Sequence, residues 1–333
     1  TQMQMPCEYG EVGSIEDWEI PVDSAKEFRL LKLLSLILRS RFPHILSPAR
    51  VSLRRPRCVR LTFPTSTAMT LFDLVKTSRL KTVELSVKDR VGIAFQLVEA
   101  CLFLHEHGIH HNHLTSSDLL VAKTQCGGRF GNDRFLLQMS HFLTANVQSQ
   151  ASLPYTITRN YRPPEVILKY TADLCAADVW MVGCIFVELF TNEPAFALLS
   201  SQENGSTRPL LVSQQIQQIV ESIGAVELES IPQNFLAKHR EAIASMRGEW
   251  VFLDRMKKSG IFSEDDTSMM LQCNELCKGC LQFHPALRTS LSDLSRHEIF
   301  QSFDHYELGQ HNFLVAQNIE ELLSGQEQQL LKK

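Results

Sequence analysis

One stretch constrains the fold more than any other: a helix, a sharp stop, a polar loop and two short apolar runs between Val91 and Met139. Ile93, Leu97, Ala100, Cys101 and Leu104 recur at helical spacing, so a helix with one buried stripe is predicted from Val91. Gly108 stops it, because glycine accepts the left-handed conformation that helix ends require. Leu119–Val121 and Phe135–Met139 flank a polar, Gly-rich turn from Gln125 to Asp133, which predicts a β-hairpin. His105, His107, His110, His111 and His113 crowd the loop between helix and hairpin. That density suggests a metal, but so tight a turn is expected to scatter the rings, and no metal site is predicted.

Two motifs lie further along. One is Thr158-Arg159-Asn160-Tyr161-Arg162-Pro163-Pro164-Glu165-Val166-Ile167-Leu168. The other is Ala177-Asp178-Val179-Trp180-Met181-Val182-Gly183-Cys184-Ile185-Phe186. With the helix, loop and hairpin, they resemble the eukaryotic protein kinase superfamily, in its cyclin-dependent/MAP-kinase-like (CMGC) branch. The resemblance runs over roughly residues 23–303 and is stronger in the later part.

It implies an α+β, two-lobed protein-kinase-like fold with a reduced β-rich N-lobe and a mainly α-helical C-lobe. The N-lobe would take residues 1–64, with the αC helix at 23–41. The C-lobe would take 65–303, with an insert at about 227–268. A partly helical tail would occupy 304–333, where Leu314, Val315, Ile319, Leu322 and Leu323 are spaced as one apolar face.

The kinase pattern also marks what has changed. His-Arg-Asp-Leu-Lys-x-x-Asn aligns with His111-Asn112-His113-Leu114-Thr115 and Asp118. His111 keeps the His, His113 takes the place of the catalytic Asp, and Asp118 replaces the metal-binding Asn. Asp-Phe-Gly becomes His141-Phe142-Leu143. Phosphoryl transfer needs metal ions, a proton-accepting group and a Lys on the phosphates. Mg²⁺ prefers oxygen ligands, and an imidazole at His141 is a poor one. Histidine side chains ordinarily titrate near neutrality, so a base at His113 is possible.

Upstream, no G-x-G-x-x-G occurs, and Tyr9-Gly10-Glu11-Val12 matches only the end of such a loop. Pro21 falls near the strand-three Lys position, which predicts an edge or broken strand. Glu27 matches the αC Glu and lacks its Lys partner. Val51–Leu53 and Val59–Phe63 fit two more strands, Pro64 to Met69 the hinge, and Arg54, Arg55, Arg57 and Arg60 a solvated basic turn.

The resemblance assigns structural roles to Glu27, His111, Phe142, Arg162, Glu165, Asp178 and Arg288. Asp178 would cap backbone N–H groups of the catalytic loop, and Arg288 would pair with Glu165. Arg162 would be left as the lone receptor for an activation-loop phosphate, since Asn112 replaces the usual Arg. The expected function is a catalytically inactive pseudokinase, not an enzyme. It would serve as a scaffold or structural subunit and bind protein partners in a larger assembly. The alternative is an active kinase of unusual mechanism, or a nucleotide transferase, with a rearranged active site. No cofactor, no metal, no Mg-ATP, no nucleic acid and no membrane are expected.

Composition sets the remaining bounds. The formal net charge of -4 gives no bulk attraction to nucleic acid or acidic lipid. No apolar run is expected to be long enough to span a bilayer. Nine cysteines without a disulfide-like framework suit a reducing, intracellular compartment, the cytoplasm first, with nucleus and organelles left open. Cys273, Cys277, Cys280 and His284 have zinc-like spacing but are read as a packed core helix. The first residues carry no signal-peptide apolar region, and the chain begins with Thr1, so the natural start is expected upstream.

Overall fold

The structure, a computed structural model, describes residues 13–21, 44–45, 50–54, 58–65, 68–123, 135–140, 146–147, 157–169, 173–196, 201–203, 206–208, 212–227, 231 and 237–303. Glu27 and the rest of the expected αC segment, Tyr9–Val12, Arg55, Arg57, His141, Phe142 and the 304–333 tail lie outside the described residues. The chain divides into two compact units. One comprises Thr1–Met69, Leu120–Leu143 and Asp304–Lys333; the other comprises Thr70–Leu119 and Thr144–Phe303.

In the first unit, Cys58–Thr65 is the middle strand of a three-stranded antiparallel sheet between Gly13–Pro21 and Arg50–Arg54. Pro21 ends an outer strand opposite Cys58, where a missing donor does little harm. The middle strand runs through Pro64, beyond the point where the hinge was expected to begin. Pro64 faces Ile15, and the register shifts between Gly13 and Ile15, so a local irregularity accommodates the residue that cannot donate. Met139, in the strand Phe135–Met139, donates its N–H to the His44 carbonyl at 2.9 Å. Burial pushes the His44 imidazole down to about 4, and its Nδ1 lies 3.3 Å from the Leu137 carbonyl.

The second unit is helical. Its helices are α1 Leu71–Arg79, α2 Val87–Glu106, α3 Pro164–Ile167, α4 Leu174–Thr191, α5 Val212–Ile223, α6 Ala237–Ala244, α7 Phe252–Lys258, α8 Thr267–Cys280 and α9 Leu291–Ser295. α2 starts four residues before the start predicted at Val91, because Ser86 and Asp89 form a capping box. Nor is one face alone buried: Arg90, Gln96 and Glu99 are enclosed along with Leu97. Arg90 is accommodated by donating to the Leu189 carbonyl, to Asn192 Oδ1 at 2.9 Å and to Ser78 Oγ at 2.8 Å. Gly108 ends α2 at φ +69°.

α4 packs against α2, α7 and α8. It is long and apolar enough to cross a membrane, contrary to the sequence reading, yet 94% of it is buried inside the protein. It is the core helix of this unit. A Cβ on Gly183 would sit 2.6 Å from Cys280 Cβ, so glycine is what lets α8 approach so closely. Cys273, Cys277 and Cys280 lie buried in α8 and burial raises their thiols, while His284 Nδ1 caps the Ala286 N–H. Trp180 stacks on Phe196 at 5.4 Å, and Phe196 meets Phe252 edge-on at 6.0 Å.

Candidate catalytic loop

The loop from Ile109 to Asp118 hangs from α4. The Asp178 carboxylate accepts the backbone N–H groups of His111 and Asn112, each at 2.8 Å. It also meets His105 Nε2 at 2.9 Å. Burial alone would protonate Asp178, but the hydrogen bond and charge of His105, with the bond from Asn112, hold its carboxyl below the usual range. The same pairing overcomes burial at His105 and raises its imidazole to about 9. Asn112 turns the chain at φ +58°, with Nδ2 donating to the His110 carbonyl at 3.0 Å. Asparagine tolerates this left-handed conformation better than most residues.

His113 follows directly. It is half-buried, and none of the bonds that fix the loop backbone passes through its ring. Leu114 N–H points to Met181 Sδ at 3.2 Å. Thr115, Ser116, Ser117 and Asp118 close the loop in a single 3₁₀ turn. Asp118 Oδ2 accepts the Thr115 N–H at 2.9 Å and its hydroxyl at 2.7 Å, a capping box that explains an acidic residue here. Among the described residues, no group of three His, Cys, Asp or Glu could hold a metal ion. Asp118, in the place of the metal-binding Asn, has its Oδ2 taken up by that capping box.

The loop histidines are not all scattered. His107 turns back to the Phe103 carbonyl, but the rings of His105 and His110 lie 5.2 Å apart and both bear on Cys175. Arg162 Nε and Nη2 donate to the Ile157 carbonyl at 3.2 and 2.8 Å, so the side chain holds backbone. Glu165 and Arg288 meet in a buried fork, at 2.6 and 2.7 Å. Arg288 also donates to the Ala176 carbonyl and lies over Trp180, 5.0 Å from the ring centre.

One buried chain escapes any local motif. Ser116 Oγ lies 2.9 Å from the Tyr161 hydroxyl, which donates to Glu188 Oε1 at 2.6 Å. Burial pushes the Glu188 carboxyl up to about 7. A tyrosine in the Tyr161 motif followed 27 residues later by an acid inside an apolar helix was the available signal.

Residues 22–300 match the protein kinase domain. The chain belongs to that family. It is 34% identical to mitogen-activated protein kinase 10 of Arabidopsis thaliana over 128 residues, 38% of this chain and 30% of that protein. It is 28% identical to a serine/threonine-protein kinase of Yarrowia lipolytica over 209 residues, 56% of the chain and 26% of that protein. It is 28% identical to the CTD kinase subunit alpha of Schizosaccharomyces pombe over 211 residues, 62% of the chain and 31% of that protein. The matches thus span under a third of these relatives' lengths.

The expectation that the chain is no enzyme is overturned: its relatives are kinases by name. That expectation rested on the missing strand-three Lys, the missing Gly-rich loop and the carboxylate replaced by His141. Imidazole is also a general base, and the loop that presents His113 remains anchored through Asp178.

Proposed function

We propose that this chain is a protein kinase of the CMGC branch with a rearranged catalytic loop. It transfers phosphate from a nucleoside triphosphate to a protein hydroxyl. His113 is the general base, taking the hydroxyl proton as the oxygen attacks. One observation carries the reading: the paired bonds from His111 and Asn112 to Asp178 fix the backbone immediately before His113. Positioning supplies much of the rate in phosphoryl transfer. The kinase names of the relatives support the same assignment. In this reading the three-stranded sheet of Gly13–Pro21, Arg50–Arg54 and Cys58–Thr65 forms the reduced N-lobe.

A melting series in ATP tests the proposal. Ligand at a hundred times its Kd should stabilise the folded chain by about 2.7 kcal/mol. A melting temperature unmoved by millimolar ATP would remove the nucleotide from the account.

A second reading concerns assembly. The S. pombe relative is named a kinase subunit, and this chain would likewise work within a complex. Native mass in extract separates the cases: a species well above the chain's own 37.9 kDa supports it, and a free monomer argues against it.

A further inference from the structure

Cys175, His105, His110 and Asp178 form a cluster that the proposed transfer step does not use. Cys175 is the second residue of α4 and is half-buried, with its sulfur in the positive field of the helix N-terminus. His110 Nε2 lies 3.1 Å from Cys175 Sγ. His110 is itself more than nine-tenths buried, and its Nδ1 meets no hydrogen-bond partner among the described residues. A buried N–H without an acceptor is costly, so the proton of a neutral His110 belongs on Nε2, where the sulfur accepts it. On the other side His105 is held by Asp178 at 2.9 Å.

The charged groups facing the sulfur are therefore His105 from α2 and His110 from the strand Ile109–His110, with Asp178 of α4 behind His105. Hydrogen bonds from His105 and then His110 draw the Cys175 thiol down to about 7, against burial. The buried cysteines behave oppositely: Cys101, Cys184 and Cys277 are pushed up by burial.

We propose that Cys175 is a covalent modification site for hydroperoxides. Its thiolate attacks the terminal peroxide oxygen. A sulfur–oxygen bond forms and the oxygen–oxygen bond breaks. Sulfur gives up two electrons and becomes a sulfenic acid. The leaving hydroxide or alkoxide takes a proton from the flanking imidazolium, which becomes neutral. This site acts whether or not the chain transfers phosphate.

The test uses the full chain with hydrogen peroxide, trapping by dimedone and peptide mapping by mass spectrometry across a pH range of about 5.5–9.5, which brackets the ordinary thiol value. Cys175 should acquire the adduct at least tenfold faster than Cys101 or Cys277 at neutral pH. Its rate should rise to a plateau with a midpoint near 7. His110→Gln should move that midpoint upward, by about one unit. A wild-type midpoint at the ordinary thiol value of about 8.5 overturns the proposal. So does a well-folded His110→Gln protein whose profile superimposes on the wild type. If His110→Gln does not fold, the wild-type profile decides alone.

Discussion

α4 carries two buried acids, Asp178 near its start and Glu188 further along, and they behave in opposite ways. Asp178 is held below the usual carboxylate range, whereas Glu188 is raised to about 7. Burial penalises both charges, so their partners make the difference. Asp178 receives two backbone N–H groups and a cationic imidazole. Glu188 receives a hydroxyl from Tyr161. Charged donors outweigh desolvation, and a neutral hydroxyl does not. The ionised end fixes the loop that presents His113; the other end braces the following turn at Ser116 through a side chain that is easily neutralised.

The largest effect should come from breaking the ionised end. Asp178→Ala leaves His105 and two buried N–H groups without their acceptor, and should cost roughly 3–5 kcal/mol in urea unfolding. A loss below about 1 kcal/mol, the scale of an exposed pair, would mean that Asp178 does not carry the loop.

Glu188 should show itself through pH. Its folded value lies above its ordinary 4.5, so its favourable contribution is complete below 4.5 and is lost as pH rises through about 7. Glu188→Gln removes that loss. Relative to the variant, the wild type should weaken by an amount on the order of 2–3 kcal/mol between pH 4.5 and about 8. Parallel stability curves for the two proteins would contradict the assignment. The smallest change is Tyr161→Phe, which should cost about 1 kcal/mol for its hydrogen bonds. It should also raise the Glu188 carboxyl further, readable by NMR titration, since the Tyr161 hydrogen bond lowers it.

The sequence made some of this visible and hid the rest for physical reasons. The Glu165–Arg288 fork and the Asp178 anchor lie in continuous motifs, so the residues pointed to their partners across 123 and 66 positions. The hairpin strands were legible because short apolar runs and a Gly-rich turn are local signals. The Ser116–Tyr161–Glu188 chain and the His110–Cys175 contact join distant residues of ordinary type, and only packing brings them together. The membrane-like length of α4 is easily passed over in the sequence because its Asp178 motif already reads as core, and burial supports that interpretation. The non-enzyme expectation allowed His113 as a base and rested instead on the missing Lys, Gly-rich loop and metal-binding carboxylate. The relatives' kinase names overturn it and return the weight to the proposed role of His113 as base.

That role decides the central claim most directly. Wild-type chain and His113→Gln should be compared for phosphate transfer from labelled ATP to a pool of serine- and threonine-containing peptides, with matched melting curves. General-base catalysis typically supplies about 10²–10⁴-fold in rate, so the variant should transfer at least a hundredfold more slowly while melting like the wild type. No transfer by the wild type, or equal transfer by both, would contradict the account.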